Sequence, residues 1–215
     1  MKICIKFTAF IVAFLFITGC STKSNDGLYN LPPNAWYNQI MDDIKSNDLD
    51  KADKHYAQFS SEHISSPLLE QTIMILEMAH MQDTSYTRAN ELLNEYIRRY
   101  GTREKIEYAQ YLQIKANYDS FLQPNRNQNL MYDSINKINT FLYQYPNTKY
   151  RPLLETMLIK FKLAVYHLDS NIKELYEQTG RDVSAKIYQE KLEKSDLKDA
   201  NLVKPDLPWY RAFFE

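Results

Sequence analysis

After residue 34 the apolar positions recur every three or four residues, the spacing of one face of an α-helix. They do not alternate as a half-buried strand would require. Trp36, Ile40 and Ile44 mark a first segment that opens at Asn34, a good N-cap residue, and ends near Asn47. Leu49, Ala52, Tyr56 and Phe59 mark a second. Residues 67–81 are apolar around most of the girth (Leu69, Ile73 and Leu76, but also Met74, Ile75 and Met78), which predicts a helix packed on more than one side. Tyr86, Ala89, Leu93, Tyr96 and Tyr100 predict a fourth, with Gly101 supplying a left-handed stop. Helices over 106–121 and 131–145 follow, separated by a polar loop at 123–129 that holds Pro124; Pro146 ends the second, with Tyr145 packed under the turn. A single long helix is expected over 151–179, with Leu154, Phe161, Leu168 and Leu175 on one face and Gly180 breaking it, then a last helix over 183–192. The fold class is all-α.

The second helix of each pair repeats one pattern: a small residue, a large one four positions on, and another three after that. Ala52, Tyr56 and Phe59 fit it, as do Ala89, Leu93 and Tyr96, then Ser134, Ile138 and Phe141, and more loosely Ser184 and Tyr188. A small side chain lets two helices approach closely, and the large ones fill the groove beside it. The pattern resembles the tetratricopeptide repeat, two antiparallel helices in about 34 residues. It predicts a helical-hairpin solenoid of about four repeats, in which each hairpin is stable only against its neighbours.

The first residues carry a different signal. Lys2 and Lys6 precede an apolar run over 7–17, too short for the roughly 20 residues that span a bilayer. The run reads as a signal peptide over 1–19. Thr18 and Gly19 before Cys20 resemble the lipobox of bacterial lipoproteins, which implies cleavage before Cys20 and acylation of that residue. At about 0.8 kcal/mol for each buried methylene, several acyl chains make a lasting anchor. The only other cysteine, Cys4, leaves with the signal, so the mature chain has no disulfide and depends on a packed core. Residues 20–33, with Gly27, Pro32 and Pro33, read as a flexible tether from the acylated cysteine, 34–194 as the helical repeat domain, and 195–215 as a C-terminal tail.

The lipobox, Pro32-Pro33-Asn34-Ala35-Trp36-Tyr37, Glu107-Tyr108-Ala109-Gln110-Tyr111, Tyr145-Pro146-Asn147-Thr148-Lys149-Tyr150 and the stretch around Gly180-Arg181-Asp182-Val183-Ser184-Ala185 stand in an order and spacing that resemble the BamD, or competence lipoprotein, family. The resemblance runs from Cys20 to about residue 192. It implies a subunit of the outer-membrane β-barrel assembly machine, lipid-anchored on the periplasmic face of the cell outer membrane. Implied partners are a BamA-like barrel protein and unfolded outer-membrane proteins, with outer-membrane lipid reached through the acyl anchor. Ser21 after the cysteine resembles an outer-membrane address. The chain departs from the family in having room for about four repeats rather than five, in Gly101 where the family has proline, and in Ser60-Ser61 where it has a Tyr-Pro turn.

In such a stack the first helices of the hairpins line the concave face. They offer Trp36, Tyr37 and Ile40 in the first hairpin, and Tyr108, Tyr111, Lys115 and Tyr118, spaced to share one helix face, in the third. Aromatic rings with polar tips suit an extended apolar peptide, and the resemblance implies that this peptide is the aromatic-ended segment of an unfolded outer-membrane protein. Trp209, Tyr210, Phe213 and Phe214 form an apolar end that either caps the last hairpin or contacts a partner. A net charge of -1 gives no nucleic-acid footprint. The four histidines form no zinc motif, and there is no phosphate loop and no nucleophile elbow, so neither catalysis nor any cofactor beyond the lipid on Cys20 is expected. An enzyme would need a carboxyl with a raised pKa, such as Glu77 or Glu155; Asp42 and Asp43 read as a solvated face, and Asp48 and Asp50 as helix-dipole partners. The same fold would also serve a repeat lipoprotein that pilots a secretin or pilus component.

Overall fold

The computed structural model describes residues 28–121 and 128–200. The signal peptide, Cys20, most of the tether, the greater part of the 123–129 loop, and Trp209, Tyr210, Phe213 and Phe214 lie outside the described residues. The chain divides into two compact units, Met1–Pro32 and Pro33–Glu215. In the first, the described residues are 28–32, with Tyr29 exposed and Asn30 in the left-handed region at φ 56°.

The second unit holds eight helices and no strand among the described residues: α1 (Pro33–Lys45), α2 (Leu49–Glu62), α3 (Leu68–Gln82), α4 (Tyr86–Tyr100), α5 (Arg103–Asp119), α6 (Gln128–Gln144), α7 (Arg151–Gln178) and α8 (Asp182–Glu193). Consecutive helices pack as hairpins, α1 with α2, α3 with α4, α5 with α6 and α7 with α8, in the tetratricopeptide manner. No described helix is long and apolar enough to cross a membrane.

Three of the four hairpin turns are closed by the same device. Asn47, Thr84 and Gly180 have φ of 59°, 62° and 67°. The next residue's N–H in each case reaches back five positions: Asp48 to the Asp43 carbonyl at 2.9 Å, Ser85 to His80 at 2.9 Å, Arg181 to Tyr176 at 2.8 Å. This is the Schellman arrangement, which satisfies carbonyls the helix leaves free. Gly180 accordingly breaks the long helix as its sequence position predicts. Gly101 does not act as expected: its φ of -64° and ψ of 95° are extended, not left-handed. Glycine is required there by crowding, because a Cβ would collide with the Ile97 carbonyl oxygen and press on the Ile106 side chain. The tight turn from α4 into α5 is then capped by Thr102, whose hydroxyl accepts from the Lys105 N–H at 3.3 Å.

The small-large-large pattern is the core of the stack. Ala52, Tyr56 and Phe59, Ala89, Leu93 and Tyr96, and Ser134, Ile138 and Phe141 are all buried. In α8 the register lies one residue later than the sequence suggested: Ala185 is buried and Ser184 only partly. The large residues also tie helices together, between hairpins and within one. The Tyr56 hydroxyl donates to Glu95 of α4 at 2.9 Å, and the Tyr96 hydroxyl to Glu70 of α3 at 3.2 Å. Arg88 of α4 grips Asp53 of α2 through two bonds of 3.0 and 3.1 Å. Tyr145 packs against Phe141 at 4.8 Å between ring centroids, under the Pro146 turn, as expected. Three further expectations are corrected. The first helix begins at Pro33, so Asn34 lies inside it and proline takes the first helical position. Leu175 is exposed, because α8 covers the other side of α7 there. Asp43 is buried, accepting from Gln39 at 3.2 Å and facing His55 Nδ1 at 2.5 Å, whereas Asp42 stays solvated beside Lys45.

Candidate peptide-binding face

Helices α5 and α7 are the first helices of the last two hairpins. Their backbones approach closely at few positions if any, and large rings fill the space between them. On α5, Tyr108, Tyr111, Lys115 and Tyr118 share one side, as their spacing predicts. Tyr111 stacks on Tyr150, at the start of α7, with centroids 4.2 Å apart and planes 7° from parallel. Tyr108 lies 6.1 Å from the same ring, and Lys149 Nζ sits 5.2 Å from its centroid. About two turns further along α5, Tyr118 meets Phe161 edge-on at 5.6 Å, Phe121 meets it at 5.3 Å, and Lys160 Nζ lies 5.5 Å over the Tyr118 ring. The ten residues from Tyr108 to Tyr118 span about 15 Å of helix.

This ring-filled seam leaves a cleft at each end. One, of about 690 Å³, is lined by Glu104, Lys105, Glu107, Tyr108, Asn147, Lys149 and Tyr150. The other, of about 400 Å³, is lined by Tyr118, Asp119, Phe121, Lys160 and Phe161. Both volumes are in the range of ordinary ligand sites. Between them Lys115 pairs with Asp119, and that hydrogen bond, first among the causes, raises the lysine's pKa and keeps it charged. Burial raises the pKa of Tyr108 and Tyr111, so both stay neutral phenols.

The first hairpin contributes less than its sequence suggests. Trp36 and Ile40 are fully buried and offer a ligand no surface. They are the stripe α1 packs against α2 and α3, and the Trp36 indole N–H donates to Glu62 at 2.7 Å. Of that trio only Tyr37 is partly exposed, its hydroxyl accepting from Gln71 at 3.4 Å. Sequence reasoning missed Tyr150 as a site residue, although it closes the Tyr145–Tyr150 motif. It had no periodic signal, because it lies in the connection before α7.

The carboxylates that the sequence offers for acid–base chemistry are placed differently from one another. Glu77 on α3 has its pKa raised to about 7, chiefly by burial, with Lys115 opposing. Its Oε1 has no hydrogen-bond partner, and at 3% exposure no substrate reaches the carboxyl without the helices parting. Glu155 is exposed and pairs with Arg151 at 3.1 Å. Asp48, expected only as a helix-dipole partner, also caps α2 by accepting from the Lys51 N–H. Among the described residues, no three His, Cys, Asp or Glu side chains converge as a metal cage would.

Comparison with known proteins fits this architecture. A family model described as an outer membrane lipoprotein, YfiO, matches residues 30–197. The outer membrane protein assembly factor BamD of Helicobacter pylori (strain ATCC 700392 / 26695) is 33% identical over 211 residues, covering 94% of this chain and 96% of its own. The protein of the same name from Rickettsia prowazekii (strain Madrid E) is 23% identical over 150 residues, 70% of this chain and 60% of its own. With one model spanning every described hairpin and one relative aligned nearly end to end, the chain belongs to the YfiO/BamD family of outer membrane lipoproteins.

Proposed function

We propose that this chain is the BamD-type subunit of an outer-membrane β-barrel assembly machine, binding a BamA-like barrel protein and unfolded outer-membrane proteins. The observation that carries this reading is the identity with a protein named outer membrane protein assembly factor, which extends along nearly the whole of both chains. The seam between α5 and α7 supports it physically. Tyr108 is exposed and Tyr118 and Phe121 partly so, at two clefts about 15 Å apart, so each cleft offers ring surface to a peptide while the buried Tyr111 and Phe161 hold those rings in place. Rings grip apolar side chains while their hydroxyls and the flanking lysines meet backbone polar groups. The exposed Leu175, Val183 and Ile187 on the last hairpin give an apolar surface for the barrel partner.

Acylated Cys20 holds the chain at the periplasmic face of the outer membrane. Confinement there raises the effective concentration of membrane-bound partners, so modest individual contacts suffice. The action is recognition and positioning, with no covalent step. Affinity capture of the full chain from detergent-solubilised outer membrane tests the proposal. A BamA-like barrel should co-purify, and depletion of the chain should lower the porin content of the outer membrane. Capture without such a barrel, together with unchanged porins, overturns it.

A further inference from the structure

After its last helix the chain passes beside α7 at the height of one of the two clefts. After α8, residues 194–200 make successive turns, with Ser195 N–H bonded to the Leu192 carbonyl, Lys198 to Ser195 and Ala200 to Leu197 at 3.0–3.2 Å. Asp196 pairs with Lys162 of α7 at 2.6 Å. An exposed pair of this kind contributes little energy, but it marks the path. Lys162 directly follows Lys160 and Phe161, which line the cleft at the end of α5. At about 1.5 Å of rise for each residue, the departing chain is within roughly 3 Å of the cleft's height along α7. To pass from one side of α7 to the other it must round a cylinder about 10 Å across. The residues from Ala200 to Trp209 can extend about 30 Å, enough for that path.

The cleft and the segment match in chemistry. Tyr118 and Phe121 are partly exposed and Phe161 forms the floor, so the cleft presents ring edges. Segment 201–215 carries four large aromatics as two adjacent pairs, Trp209-Tyr210 and Phe213-Phe214, with Arg211 between them and Glu215 after them. Asp119 and Lys160 at the cleft are complementary in sign to those two charges. Exposed to water, four such rings would form a sticky patch. The exposed apolar residues of α8, Val183 and Ile187, are a poorer seat. Val183 stands ten residues, about 15 Å, back from the point where the chain departs.

We propose that segment 201–215 is an intramolecular ligand, its aromatic residues seated against Tyr118, Phe121 and Phe161 in the cleft between the end of α5 and the middle of α7. The segment then occupies one end of the ring-lined seam until a competing aromatic peptide displaces it. This holds whether or not outer-membrane substrates use the same seam, because the contact lies within one chain.

The test uses the full chain in detergent with p-benzoylphenylalanine in place of Phe213. Illumination should join the segment to residues 118–121 or 160–161 of the same molecule, read by peptide mass spectrometry. Crosslinks to Val183 and Ile187 instead, or only to a second molecule, overturn the proposal. A second arm uses a chain ending at Ala200, checked for unchanged helicity by circular dichroism, and a fluorescent peptide with the sequence of residues 201–215. The shortened chain should bind the peptide at least tenfold more tightly than the full chain, and Tyr118→Ala in the shortened chain should weaken that binding. Equal binding to both chains, or binding to neither, also refutes it.

Discussion

Glu77 offers the sharpest test of the energetics. Its carboxyl lies among packed helices with one oxygen unpaired, and burial raises its pKa from an ordinary 4.5 to about 7. A raised carboxyl means that the folded chain holds a proton which the unfolded chain has already released. Stability therefore falls as pH rises from about 4.5 to about 7, and above that the full penalty of a buried charge is present. The two pKa values differ by about 2.5, and each pKa unit is worth about 1.4 kcal/mol, so the penalty at pH 8 is on the order of 3 kcal/mol. Glu77→Gln keeps the shape and removes the charge. At pH 5 the penalty is still below about 1 kcal/mol, so the variant and the parent should unfold at similar urea concentrations. At pH 8 the variant should be more stable by about 2–3 kcal/mol. Subtracting one pH profile from the other cancels every other titrating group that the substitution leaves undisturbed, including Asp169, whose pKa burial also raises. A difference that is constant from pH 5 to pH 8, or one that favours the parent at pH 8, would refute the reasoning.

Thr84 holds a left-handed conformation that a β-branched residue adopts at a cost, so Thr84→Gly should stabilise the chain by about 0.5–1 kcal/mol in urea unfolding. Gly101→Ala should destabilise by about 1–3 kcal/mol despite an ordinary φ, because the added methyl meets the Ile97 carbonyl and Ile106; thermal unfolding reads this. Trp36→Phe removes the bond to Glu62 and leaves a small void, which should cost about 2 kcal/mol of stability in urea while peptide crosslinking at the α5–α7 seam is unchanged. Tyr150→Ala removes the partner on which Tyr111 and Tyr108 rest, and should lower both stability, by about 2 kcal/mol, and the yield of substrate crosslinks from position 111.

The helices were legible because each hairpin must bury a stripe, and a buried stripe has a period. The small residue of the repeat was legible for the same reason in α2, α4 and α6, where Ala52, Ala89 and Ser134 leave room for close contact. In α8 two small residues stand side by side, Ser184 and Ala185, and pattern alone could not say which faces inward. Turn conformation was legible only in part. Gly180 and Gly101 look alike in a sequence, yet one adopts positive φ and the other admits a neighbouring backbone. The candidate site was half visible. The α5 tyrosines share a face by simple spacing, but their partner Tyr150 comes from a non-helical connection and has no period to betray it. Trp36 and Ile40 had the composition of a binding surface and turned out to be core, because a helix as polar as α1 has few other apolar residues to bury.

The seam between α5 and α7 also determines where the repeat array yields. Helix α5 leans more on α4 than on its own hairpin partner α6, and α6 leans more on α7. In a one-dimensional array the junction with the sparsest packing opens first, while the blocks on either side remain intact. Amide protons in the second half of α5 and the first turns of α6 should therefore exchange with solvent sooner than those of α2 or α4. Such a joint lets the α1–α5 block swing and reseat against the α6–α8 block without either one melting.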